Sequence, residues 1–253
     1  MPPSKQTHPA QTGRPASCFA NRYRGSLPAE TTPGYLDRMS RRAHLLVMAK
    51  SPVPGRVKTR LCPPCTPEEA ASIASAALHD TLTAVAACGV ERRILALDGE
   101  PGPWIPDGFE VVAQVDGSFD VRLTAAWEAA GGPGLQIGMD TPQVTALLLD
   151  ECLAALLEGS DPPGAALGAA DDGGWWAIGL HRPHPQAFMG VEMSLSTTGL
   201  AQANRLRSLG LYVADLPALR DLDTWDDALA ITRAESHLAT AVAVGAVQHR
   251  VGP

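Results

Sequence analysis

The chain lacks long apolar runs. None of its 253 residues belong to a stretch approaching the roughly 18–20 apolar residues that a membrane-spanning helix needs. The N-terminus lacks the apolar core of a secretory signal, so cytoplasmic location is the default expectation. Basic charge is also short: 20 Lys and Arg stand against 27 Asp and Glu, a net charge of -7. An acidic balance argues against non-specific binding to nucleic acid or to an anionic membrane, while leaving room for a small basic pocket. The 5 cysteines are odd in number and scattered, which excludes a disulfide scaffold. Cys62-Pro-Pro-Cys65 has no second pair and no His partners to complete a zinc site, and reads as a loop. There is no Walker loop, no G-x-G-x-x-G and no G-x-S-x-G around Ser194 or Ser196. His79, His181 and His184 show no metal-ligand spacing.

What is present is an alternation of strands and helices. Residues 1–39 are rich in Pro, Thr, Ser, Gln and Arg without hydrophobic periodicity, and read as a disordered extension. Met39, just before the first strand, offers an alternative start. Residues 40–240 read as one domain and 241–253 as a tail. Strands are expected at His44–Ala49, Arg93–Leu97, Val111–Val115, Leu135–Met139, Ala165–Ala169, Trp175–Leu180 and Leu211–Ala214. Thr66-Pro67-Glu68-Glu69 is a capping box with proline at the first helical position. The helix it opens runs to about Cys88. Further helices are expected at Val121–Ala130, from Thr141-Pro142 to Glu158, at Thr197–Leu209 and at Thr224–His237. This order predicts an α/β fold, a mostly parallel mixed sheet covered by helices on both faces in three layers. Ligands in such sheets bind at the carboxyl ends of the strands.

Four motifs stand just after strands. In Ala49–Leu61 the cations Lys50, Arg56, Lys58 and Arg60 occur without an intervening acid, on a loop stiffened by Pro52 and Pro54 and turned by Gly55. Convergent cations on a rigid loop suit a di- or triphosphate. The plain alternative is a solvated basic turn. In Gly138-Met139-Asp140-Thr141-Pro142, Asp140 ends an apolar strand, a placement that suits Mg²⁺ (or Mn²⁺) shared with substrate phosphates. The alternative is an Asp that caps the next helix. Asp171-Asp172-Gly173-Gly174-Trp175-Trp176 joins two strands, with glycines for close backbone approach and tryptophans to wall a pocket. Read alone, it is a hairpin turn. In Asp221-Leu222-Asp223-Thr224-Trp225-Asp226-Asp227, Thr224 and Asp227 account for a helix cap, which leaves Asp221 and Asp223 over as a source of a second metal carboxylate.

Taken together, these motifs resemble the bacterial DUF2064 family of glycosyltransferase-A-fold proteins, related to the molybdenum-cofactor and phospholactate guanylyltransferases. The resemblance spans roughly residues 43–230. It implies a nucleotide-diphospho-sugar transferase-like (GT-A) fold, with Asp140 and Asp223 as metal ligands and with Lys50, Arg56, Lys58 and Arg60 around phosphates. Arg122, in Asp120-Val121-Arg122-Leu123, falls where the family has Gly-Glu-Arg, and only the Arg matches. Asp172, Gly173 and Gly174 match its Asp-Gly-Gly, and Trp175-Trp176 replaces a pair of tyrosines.

The expected activity is metal-dependent nucleotidyl transfer. A nucleoside triphosphate would be joined to a small phosphorylated or hydroxyl acceptor, with Lys50 or Lys58 offsetting charge at the α-phosphate and Arg56 and Arg60 holding the departing pyrophosphate. The alternative is a glycosyltransferase with a nucleotide-sugar donor, in which Asp172 or Asp171 acts as general base. A non-catalytic nucleotide-binding domain is the third reading. No nucleic acid or membrane partner is expected.

Overall fold

The computed structural model describes residues 43–158 and 164–252. The expected extension and its alternative start lie outside the described residues. Among the described residues seven strands form one sheet: β1 (His44–Lys50), β2 (Arg92–Asp98), β3 (Phe109–Ala113), β4 (Gly134–Gly138), β5 (Gly164–Ala170), β6 (Trp175–Leu180) and β7 (Tyr212–Leu219). Their order is β3-β2-β1-β4-β6-β5-β7. Only β6 runs against its neighbours; β1, β2, β3 and β4 pair in parallel, as do β5 and β7. The sheet is therefore mixed and mostly parallel. Its central strands are near-continuous apolar runs because both faces are covered.

The described residues form six α-helices, α1 (Pro67–Ala86), α2 (Phe119–Ala130), α3 (Ala146–Glu158), α4 (Thr198–Ser208), α5 (Trp225–Ala234) and α6 (Ala239–Val251), of which the first four cover the sheet. Leu45, Val47, Leu95 and Ile137 point to one face and pack with Leu78 and Leu82 of α1 and Leu149 and Leu153 of α3. Leu46, Met48, Ile94 and Ile178 point to the other and meet Leu123 and Trp127 of α2 and Leu206 of α4. This is the strict alternation of a pleated strand seen from both sides. The opposite face of α1, through Ala70, Ile73 and Ala77, is buried under Ala228 and Ile231 of α5 and Val244 and Val247 of α6. Among the described residues no helix is long and apolar enough to cross a membrane.

Two expectations are corrected. The helix expected from Thr141-Pro142 begins at Ala146, and the Thr145 hydroxyl, not that of Thr141, accepts from the backbone at Leu148 (3.1 Å). Thr141 is instead buried in a turn closed by Val144 N–H to its carbonyl. Residues 239–251, expected as a tail from 241, form α6. The Asp80 carboxylate on α1 accepts from Ala239 and Thr240 N–H at 3.0 and 2.8 Å, caps α6 and binds it to α1. The Thr66–Glu69 and Thr224–Asp227 capping boxes are both present.

His44, the first residue of β1, is buried with its ring edge-on to Trp127 at 5.2 Å. The ring lies over Gly134, where any Cβ would collide with it. Burial, reinforced by the Arg92 charge, pushes the imidazole down to about 4. An unfolded histidine takes its proton near 6.5, so between these values the unfolded state binds more protons than the folded one. The His44 contribution is complete above about pH 6.5 and is lost as pH falls toward 4, by an amount of order 3 kcal/mol. A His44→Leu variant should therefore show a flatter fall of its urea midpoint between pH 6.5 and 4 than the parent chain.

Candidate functional site

The carboxyl ends of β1 and β4 and the segments that follow β3, β5 and β7 open into one cleft of about 590 Å³. The chain leaves β1 toward β2 and β3 on one side and returns to β4 on the other, so the gap between β1 and β4 is the point where strand order reverses. Lys50, at the end of β1, donates its N–H to the Met139 sulfur across that gap at 3.2 Å. Lys50, Arg56, Lys58, Arg60, Arg122, Asp140, Asp172, Gly174 and Asp223 all line the cleft. Sequence positions 50 to 223 thus converge on one wall-and-floor arrangement.

Asp140 and Asp223 arise on strands separated in the sheet by β6 and β5. A backbone hydrogen bond from Leu222 N–H to the Asp140 carbonyl, 2.7 Å, draws their loops together. Between the two carboxylates lies a third side chain. Lys58 Nζ is 2.6 Å from Asp140 Oδ1 and 3.1 Å from Asp223 Oδ1, and its side chain is only 7 % exposed. Arg60 Nη1 takes the other oxygen of Asp223 at 3.2 Å. Burial works against the Lys58 charge, but Asp140 and Asp223 outweigh it and its pKa is raised above the ordinary lysine value. The Lys58 backbone is left-handed, φ 48 and ψ 37. A non-glycine residue there costs about 1–2 kcal/mol, which the ion pairs hold in place.

This arrangement bears on the expected metal. Among the described residues no group of three or more His, Cys, Asp or Glu is disposed to hold an ion. The position a shared Mg²⁺ would take between Asp140 and Asp223 is filled by the Lys58 ammonium. As arranged, these residues do not fit a divalent ion. Lys58, expected beside phosphates, forms the buried floor of the cleft.

The remaining residues divide clearly. Lys50 reaches Asp98 at 3.7 Å and Arg122 Nη1 reaches the same carboxylate oxygen at 3.1 Å, so Asp98 at the end of β2 holds two of the expected ligand cations. Arg56 is exposed and has no carboxylate partner among the described residues. Gly55 does not line the cleft; its φ of +75 turns the loop. The Asp171–Gly174 segment is indeed the hairpin turn between β5 and β6. Asp171 is bound by Arg220 at 3.2 Å, outside the cleft lining. Asp172 faces the cleft and accepts from Gly174 N–H at 2.8 Å. Gly173, expected to meet a ligand, meets the chain instead: its φ is +89, a Cβ there would fall on the Ser196 carbonyl, and its own carbonyl accepts from Gly199 N–H at 2.9 Å. The two tryptophans part company. Trp176 is buried and donates to the Pro217 carbonyl at 2.8 Å, whereas Trp175 is partly exposed, 6.5 Å from the Phe188 ring.

Two carboxylates carry more weight than their motifs suggest, Asp221 in the cleft and Asp98 behind Lys50 and Arg122. Asp221 was left over by the capping argument; burial, then the charges of Asp140, Asp172 and Asp223, push its carboxyl up to about 7. Asp98 closes the buried strand β2, the same sequence signal that marks Asp140 at the end of β4. Gly173→Ala should distort the hairpin turn through its contact with Ser196 and cost about 2 kcal/mol or more, measured as a lower denaturant midpoint.

Among solved structures the chain is similar to a proposed nucleotide-diphospho-sugar transferase from Desulfovibrio desulfuricans G20, with a TM-score of 0.72 and 22% identity over 83% of this chain and 97% of that one. It is also similar to a cytidylyltransferase from Leptospira borgpetersenii serovar Hardjo-bovis (strain JB197), with a TM-score of 0.50 and 12% identity over 83% of this chain and 94% of that one. At such identities the likeness shows the α/β fold. No curated protein matches the chain. A family model described as "DUF2064: Uncharacterized protein conserved in bacteria" matches residues 73–195, a narrower span than 43–230 that takes in Asp140 and Asp172 but neither the basic loop nor Asp223. The family read from the motifs is thus the family that residues 73–195 match.

Proposed function

We propose that the chain is a transferase that binds the polyphosphate of a nucleotide in the cleft and passes the nucleotidyl group to a small acceptor. The observation that carries this reading is the convergence of Lys50, Arg56, Lys58 and Arg60 on one cleft at the strand ends. Cations held by Asp98 and Asp223 are preorganised, so they meet a phosphate without first being gathered from solvent. In the reaction, an acceptor oxygen forms a bond to the α-phosphorus and the bond to the β-bridging oxygen breaks. Pyrophosphate leaves with the added negative charge. Arg56 and Arg60, at the open side of the cleft, hold that leaving group; Lys50 faces the α-phosphate. Asp172, on the opposite hairpin, takes the proton when the acceptor is a hydroxyl. The likeness to a cytidylyltransferase fold is compatible with this chemistry.

Glycosyl transfer from a nucleotide-sugar is the second reading, and one observation favours it. Lys58 and Arg60 are both engaged by Asp223, which leaves Lys50 and Arg56 as the more available cations, a number suited to a diphosphate. The fold it shares with the Desulfovibrio protein suits this reading equally.

Incubation with each of the four ribonucleoside triphosphates and candidate small acceptors, followed by pyrophosphate, decides between them. Acceptor-dependent pyrophosphate release supports nucleotidyl transfer; release of a nucleoside diphosphate from a nucleotide-sugar moves the assignment to glycosyl transfer. Neither product from any donor removes the transferase reading. Arg56→Ala should weaken binding of the productive donor by about 10-fold or more, as expected for loss of a charged hydrogen bond, with little change in melting temperature.

A further inference from the structure

We propose that the Lys58 ammonium is the resident cation of the cleft, taking the place of a divalent ion between Asp140 and Asp223, so that polyphosphate binds here without metal. Only the last clause rests on the cleft being a phosphate site; the first stands on geometry alone.

The charge count comes first. Asp140 and Asp223 bring two negative charges, and Lys58 and Arg60 bring two positive ones within 3.2 Å of their oxygens. Within this pair of carboxylates no net charge is left over to draw in a divalent ion; Asp172 and Asp221 line the same cleft but make no ion pair with Lys58 or Arg60. Both oxygens of Asp223 are engaged, Oδ1 by Lys58 and Oδ2 by Arg60. Mg²⁺ demands a near-octahedral set of oxygens at about 2.0–2.1 Å and keeps several waters. The ammonium instead sits at hydrogen-bond distance from both carboxylates and fills the space they share.

Lys58 is also built into this position. Its side chain is less exposed than either carboxylate, 7 % against 40 % and 35 %, so it lies beneath them, where an arriving ion does not simply displace it. Its left-handed backbone opens the short 3-10 turn Thr59–Leu61, and its carbonyl accepts from Leu61 N–H at 2.9 Å. Leu61 is itself fully buried against α1 and Leu222. The backbone from which Lys58 reaches the two carboxylates is therefore fixed by a packed turn. An ammonium has three donors, and two are spent on Asp140 and Asp223, which leaves one for a ligand oxygen.

The test compares Mn²⁺ binding to the full chain and to Lys58→Met, read by the paramagnetic resonance signal of free Mn²⁺. The parent chain should bind Mn²⁺ at least about tenfold more weakly than Lys58→Met, a difference set by removal of one positive charge beside two carboxylates. The gain should vanish in Lys58→Met/Asp140→Asn, which locates it. Equal Mn²⁺ binding by parent and Lys58→Met overturns the proposal, as does failure of Lys58→Met, folded by circular dichroism, to bind at all. A second measurement needs no variant. Inorganic tripolyphosphate should raise the melting temperature of the parent chain as much in EDTA as in Mg²⁺; a shift that requires Mg²⁺ overturns metal independence. Tripolyphosphate that gives no shift in either condition removes the phosphate-site reading and with it the last clause, while the Mn²⁺ comparison still decides the first.

Discussion

A single backbone hydrogen bond, from Leu222 N–H to the Asp140 carbonyl, ties together loops that the sheet would otherwise keep apart. Asp140 follows β4 and Asp223 follows β7, with β6 and β5 between them. Drawn close, their carboxylates repel each other and Asp221 beside them, unless a positive charge is placed among them. Lys58 meets that need from the far end of the chain. The capture of Arg60 by Asp223 follows from crowding acids over the ends of the strands, and the same crowding adds to burial in raising the carboxyl of Asp221.

The supporting architecture is arranged so that this crowding is tolerated. Helix α1 is buried on two sides, against the sheet and against α5 and α6, and the turn carrying Lys58 packs Leu61 into the second of these layers. Asp223 leads directly into the capping box that starts α5. Both members of the ion pair are thus anchored to the same outer helical layer. Apolar packing thus supports the ion pair at both of its members and adds to their attraction, which desolvation of partly buried charges reduces.

Much of this was legible in the sequence. The strands announced themselves as apolar runs, and the boxes at Thr66 and Thr224 fixed two helix starts to the residue. Edge strand β3 lies two residues earlier than expected because its half-exposed pattern carries little periodic signal. The Thr141 error arose because two threonines, 141 and 145, offer the same capping chemistry, and burial chose between them. Helix α6 was missed because its Ala- and Val-rich sequence has no sharp polar face. In the site, Lys50, Arg56, Lys58, Arg60, Arg122, Asp140, Asp172, Gly174 and Asp223 line one cleft while Gly55 and Gly173 do not, and the pairings among them are not legible in the sequence. A local motif shows that Lys58 is cationic; it does not show that its partner stands 165 residues away. Asp171 and Asp172 looked alike in the sequence, and Arg220, from a different strand end, separates them.

The contact between Gly173 and Gly199 has a mechanical meaning. The β5–β6 turn and the first turn of α4 touch backbone to backbone, with the Gly199 N–H on the Gly173 carbonyl and no side chain between them to give way. Asp172 and Trp175 therefore sit on a lever whose other arm is the 11-residue helix α4, packed through Leu206 into the core. A ligand that pulls on the acidic wall of the cleft works against the stiffness of that helix. The acidic wall of the cleft is thus braced from behind by α4, much as Asp98 and Asp223 brace the cations that face it.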